Sequence, residues 1–113
     1  MRQGTTPIVT LDVPQDFTSA NVYVTIDQNG TQITKSSNDS EDIEITAHYK
    51  DDGTFDYSSV AMYLSQEETL GLEVGKARTQ IRWIDDLNAA YATDIGTIDI
   101  EESLYEEVIS YGG

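Results

Sequence analysis

His48 is the single histidine of the chain, and it is the first residue to test for catalysis or metal binding. A nucleophilic triad or a zinc site needs it beside a nucleophile or further strong ligands. It falls between Ala47 and Tyr49 on the polar face of an alternating segment, which predicts a solvent-exposed or hydrogen-bonded strand residue. There is no cysteine, which removes disulfides, thiolate metal sites and thiol nucleophiles. Two acidic segments, one with Asp39, Glu41 and Asp42 and the other with Asp51, Asp52 and Asp56, could offer oxygens to calcium. Neither has the spacing of an EF-hand loop, so solvated acidic loops are the expectation. Gly71 and Gly75 lack the Lys-Ser or Lys-Thr of a phosphate loop and lead into a strand. No catalytic, cofactor-binding or metal-binding residue is expected, and no small-molecule substrate.

Charge recognition is the chemistry that remains. The 113 residues hold 21 acidic and 6 basic side chains, a formal net charge of −15. Such a field repels nucleic acid and anionic membranes and favours partners with a basic patch; solubility alone is the bland reading. Lys76, Arg78 and Arg82 fall within seven positions, with Arg78 and Arg82 on one strand face. This stripe could receive an acidic surface, such as the Glu-rich tail of a neighbouring copy. It could equally pair with acids of its own sheet, at about 0.2–1 kcal/mol per pair. In the tail, Leu104, Tyr105, Val108 and Ile109 sit at helical spacing among Glu101, Glu102, Glu106 and Glu107. That pattern suits an amphipathic helix or strand extension, docking in a partner groove or covering the domain's own edge. These seven residues are the interface candidates.

The elements that must position them follow from a period of two. Strands are expected at 8–13, 20–28, 31–35, 43–49, 59–64, 76–84 and 89–100. Asn29-Gly30 is a type I′ hairpin signal. Ser65 followed by Glu68 is a capping box that should start one helical turn ending near Gly71. About seven strands and one short helical turn predict an all-β fold, an antiparallel immunoglobulin-like β-sandwich over residues 1–100, with 101–113 as an acidic tail or docking segment; a small barrel is the alternative. On the inward face of the 76–84 strand lie Ala77, Thr79, Ile81 and Trp83, and core packing is the expected role of Trp83. No apolar run approaches a membrane span, and the N-terminus lacks the apolar segment of a signal peptide, which predicts synthesis in the cytoplasm.

The opening Met1-Arg2-Gln3-Gly4-Thr5-Thr6-Pro7, followed at once by a strand, resembles the start of short proteins encoded in phages and prophages of Firmicutes. Leu64-Ser65-Gln66-Glu67-Glu68-Thr69-Leu70, then the basic strand Gly75 to Trp83, is similar to the turn-and-strand pattern of the same group, as is Ile98-Asp99-Ile100 with its acidic tail. Strand order and the Thr79-Gln80-Ile81-Arg82-Trp83 strand also resemble the N-terminal β-sandwich of siphophage upper baseplate proteins. The downstream receptor-binding or coiled-coil region of that pattern is missing, so a receptor-binding tip is not expected. The resemblance implies a non-enzymatic virion structural or adaptor protein, made in the bacterial host cytoplasm, that oligomerises and docks on a tail, baseplate or capsid through β-edges and terminal segments, with other virion proteins as partners. Two other readings stand beside it: an acidic DNA mimic that occupies the basic groove of a host nuclease, and a carbohydrate-binding module using tyrosines and Trp83.

Overall fold

β-Branched and aromatic residues at every second position fit a pleated surface with one face buried. In the computed structural model, which describes residues 1–112, they form two antiparallel sheets packed face to face. One sheet has the order β1 (Ile8–Val13), β5 (Phe55–Tyr63), β4 (Ile43–Tyr49). The other runs β3 (Thr31–Ser36), β2 (Ala20–Gln28), β6 (Gly75–Asp85), and β6 carries both β7 (Ala90–Ala92) and β8 (Gly96–Ile100) on its outer edge. With β1 read as strand B of an immunoglobulin domain, the sheets are B-E-D and C′-C-F-G. The first strand of that fold is absent among the described residues; the N-terminal arm supplies a parallel bridge from Arg2 to Glu101.

The sandwich is filled by alternate residues: Val22, Val24 and Ile26 from β2 meet Val60 and Met62 from β5, with Ile81 of β6 and Leu72 of the crossover. The β2–β3 hairpin turns on Asn29 (φ 49°) and Gly30 (φ 88°), as a type I′ turn requires. Helix α1 (Gln66–Leu70) carries the capping box: Ser65 Oγ accepts from the Glu68 amide, and the Glu68 carboxylate accepts from the Ser65 amide.

Three expectations change in detail. The fifth strand begins at Phe55, because the turn closes early: Asp52 accepts from the Thr54 amide and hydroxyl, and Lys50 N–H bonds Thr54 C=O at 2.8 Å. The expected strand over 89–100 breaks into β7 and β8 around a bulge, where Thr93 takes both main-chain groups of Ile81 and Ile95 is left exposed. The tail beyond the bridge at Glu101 is neither helix nor strand, and Gly113 lies outside the described residues. The acidic residues that interleave its apolar ones gain nothing by helix formation without an apolar surface to cover, and a short isolated helix is marginal in water.

These connections give the molecule two distinct ends. At ~3.3 Å per residue, β6 places Gly75 and Asp85 roughly 30 Å apart. The Gly75 end holds α1, the N-terminal arm and the tail. At the Asp85 end are the 14–19 loop, brought there by Ala20 pairing with Asp85, and the turn from Asp85 to Ala89.

Candidate functional site

Along the stripe proposed from sequence, the outward positions of β6 do carry Lys76, Arg78 and Arg82. Their surroundings differ. Arg78 stands opposite Asp27 on β2 and donates to its carboxylate through Nε and Nη2. Lys76 stands opposite Asp99 on β8, with Nζ 2.9 Å from the carboxylate. The hydrogen bonds from Arg78 and Lys76 hold Asp27 and Asp99, respectively, below the usual aspartate range. Only Arg82 of the three has no ion pair among the described residues; it is exposed between Tyr23 and Ala92 on the neighbouring strands. The stripe is therefore mostly neutralised by cross-strand partners.

The tail lies at the Gly75 end, where the stripe begins, but it is held by other residues. Its main chain is pinned: the Gln66 side-chain amide donates to the Ile109 carbonyl and accepts from the Ile109 amide, both at 2.9 Å, and Ser103 donates to the Gln3 carbonyl. Arg2 holds the start of the tail through Glu101 and the Glu102 carbonyl. None of these contacts uses an apolar side chain. Leu104 is 97% exposed, Tyr105 66%, Val108 58%, Ile109 60%, and Tyr111 is fully exposed. Side chains of this size together offer several hundred Å² of apolar surface, on the order of the largest patch a monomer usually shows. The four tail candidates are thus all exposed, and none is in an ion pair or hydrogen bond with the side chains of the basic stripe.

His48 is hydrogen-bonded, as its strand position predicted. It joins Ser59 and Asp12 across three adjacent strands, with His48 Nε2 3.0 Å from Ser59 Oγ and the Ser59 hydroxyl donating to Asp12 at 2.8 Å. Hydroxyl and imidazole stand in the opposite order to a nucleophilic triad, where the imidazole lies between the other two and takes the hydroxyl proton. Here the serine proton points at the carboxylate, and Nε2–H is the donor to Oγ. Tyr57 stacks on the ring at 4.4 Å. The acids do not converge: among the described residues no cluster of three His, Asp or Glu could hold a metal. No helix among them is long and apolar enough to cross a membrane.

Two features escape a reading of strands alone. Lys35 follows Ile33 on the core-facing side of β3, with its side chain 14% exposed between Glu68 at 3.0 Å and Asp42 at 3.5 Å. Burial pushes the Lys35 ammonium down, but the two carboxylates outweigh it and raise it. Its alternation with Ile33 was the available signal; the acids come from distant segments. The second is at the Asp85 end, where Trp83 is half-buried instead of buried. Phe17 meets it edge-on at 5.2 Å, and Tyr91 stacks on it at 5.6 Å with about half its surface open. The pairing of β6 with β7 places Tyr91 opposite Trp83, which no local pattern announces.

No protein-family model, curated protein or solved structure matches this chain.

Proposed function

We propose that this chain is a non-enzymatic assembly protein of a phage particle, an adaptor that docks on a tail, baseplate or capsid component. The observation that carries the docking role is the terminal segment: its backbone is anchored by Gln3 and Gln66, while Leu104, Tyr105, Val108 and Ile109 face solvent. An anchored segment loses less conformational entropy on binding than a free one, so more of the apolar contact is realised as affinity. The particle setting comes from the resemblance of the chain's opening, of Leu64 to Leu70 and of Gly75 to Trp83 to short phage proteins. The order of Asp12, Ser59 and His48 supports a structural part for the lone histidine.

The test is mass spectrometry of purified particles from a host carrying the gene, with wild-type protein and with Leu104, Tyr105, Val108 and Ile109 changed to serine. Wild-type protein in stoichiometric amounts, and loss of the variant from particles, are the expected results. Absence of the wild-type chain from particles, together with tight binding to a host nuclease, would move the assignment to a DNA mimic.

A further inference from the structure

The end of the sandwich opposite the tail carries a second surface. A shallow cleft opens between the 14–19 loop and strands β6 and β7, lined by Gln15, Asp16, Ser19, Trp83, Asp85 and Tyr91. Its wall is the aromatic stack. Trp83 is locked between Phe17 and Tyr91, and the outer face of Tyr91 is open. Its rim is acidic. Asp16 spends one oxygen on the amide and hydroxyl of Thr18, and Asp85 spends one on the amides of Leu87 and Ala89. The second oxygen of each has no hydrogen-bond partner among the described residues, and no lysine or arginine lines the cleft.

The lining selects a ligand. Two carboxylates accept and cannot donate, so the ligand must be rich in donors. The negative faces of Tyr and Trp rings attract a cation, and the −15 field of the chain favours one. A sugar could use the Gln15, Ser19, Trp83 and Tyr91 donors of the lining, but it carries no charge for the two carboxylates and the −15 field to attract. A metal needs more oxygens than converge here. A planar cation with five donors and no acceptor satisfies all three demands. We propose that this cleft seats an arginine side chain presented by a protein partner, its guanidinium flat on Tyr91 and its N–H groups shared between Asp16 and Asp85. The inference rests on the assembly reading and gives it a second contact, at the opposite end of β6 from the tail.

Trp83 is the single tryptophan, so its fluorescence reports on the cleft directly. The experiment titrates the full chain with N-acetyl-arginine amide, with the neutral isostere N-acetyl-citrulline amide and with methyl glucoside as controls. The arginine derivative is expected to change Trp83 emission saturably in the millimolar range, and the controls are not. Tyr91→Phe keeps a ring face and should bind within about twofold of wild type, whereas Tyr91→Ala should bind about fivefold more weakly or worse. Asp16→Asn keeps the turn acceptor for Thr18 yet removes the charge, and should weaken binding several-fold, as should raised salt. Equal responses to arginine and citrulline derivatives, binding untouched by Tyr91→Ala, or preference for the glucoside each overturn the seat. A chain found in particles but blind to arginine overturns the seat alone, since incorporation is measured independently.

Discussion

Gln28 closes β2 with a side chain that behaves like a piece of main chain. It is 6% exposed, its amide nitrogen donates to the Glu73 carbonyl at 2.8 Å, and its amide oxygen accepts from the Glu73 amide at 2.6 Å. This pair bolts the crossover after α1 to the end of the five-stranded sheet. Gln28→Leu preserves bulk and removes both bonds, together with a longer one of 3.4 Å to the Lys76 carbonyl. Each is worth about 0.5–1.5 kcal/mol net, and the Glu73 main chain lies near solvent and can rehydrate, so the loss should be about 1–3 kcal/mol. For a chain of this size, that is a fall in melting temperature of roughly 4–12 °C. Gln28→Glu makes a sharper test. Its carboxylate still accepts from the amide but faces the Glu73 carbonyl with no proton to donate, so it should be worse than leucine at neutral pH and recover in part where the carboxyl is protonated. Urea unfolding followed by Trp83 emission measures both, with an unchanged slope expected against denaturant. Gln28→Leu within about 0.5 kcal/mol of wild type would refute the account, because that is the scatter of an ordinary surface change.

Stability should hold a plateau across neutral pH and fall on both sides, measured as the urea midpoint from about pH 3 to 11. On the acid side, Arg78 holds Asp27 low and Lys76 holds Asp99 low; burial pushes Glu68 up, but the Ser65 amide and Lys35 outweigh it. Folded values below the unfolded 3.8 and 4.5 mean stabilisation that is complete above those values and lost as pH falls through the folded ones. Lys35, raised above 10.5, contributes below that value and loses its contribution as pH rises past it. Arg78→Glu should lower the urea midpoint through repulsion with Asp27 on the facing strand, while Arg82→Glu should stay within about 0.5 kcal/mol of wild type in the same assay. Replacing Leu104, Tyr105 and Val108 together by serine should leave thermal stability within about 0.5 kcal/mol by calorimetry, because none of the three is buried.

How far the sequence carried depends on whether a feature is local. The strands at 8–13, 20–28 and 43–49, the Asn29-Gly30 turn and the Ser65 capping box came out at their stated places, because alternation, positive φ and reciprocal capping act over a few residues. The sandwich followed from their number. The partners of Lys76 and Arg78 did not, since Asp99 and Asp27 are chosen by register between strands far apart in sequence. Alternation places Trp83 on the inward face of its strand, where it packs against the core, but its half-burial depends on where the opposite sheet stops. The helical spacing of the tail was real in the sequence and unrealised in the fold, since spacing forms a helix only when something covers the apolar side.

Ion pairing limits how copies of this chain can meet. Arg2, Lys35, Lys76 and Arg78 are each tied to an acid of their own molecule, which leaves Lys50 and Arg82 without an ion pair among the described residues. A contact between copies that relied on basic side chains receiving the Glu-rich tail would have to break cross-strand pairs to gain others of the same exposed kind, with little net gain. Self-association then draws its energy from exposed apolar side chains, those of the tail among them, and from open sheet edges, and it should strengthen with salt as repulsion between copies at −15 is screened. A partner that supplies its own basic groups shows the reverse dependence, weakening as salt rises. The sign of the salt effect on sedimentation of the chain alone, set against its effect on capture by the assembled particle, therefore separates the two kinds of contact whichever component of the particle the partner is.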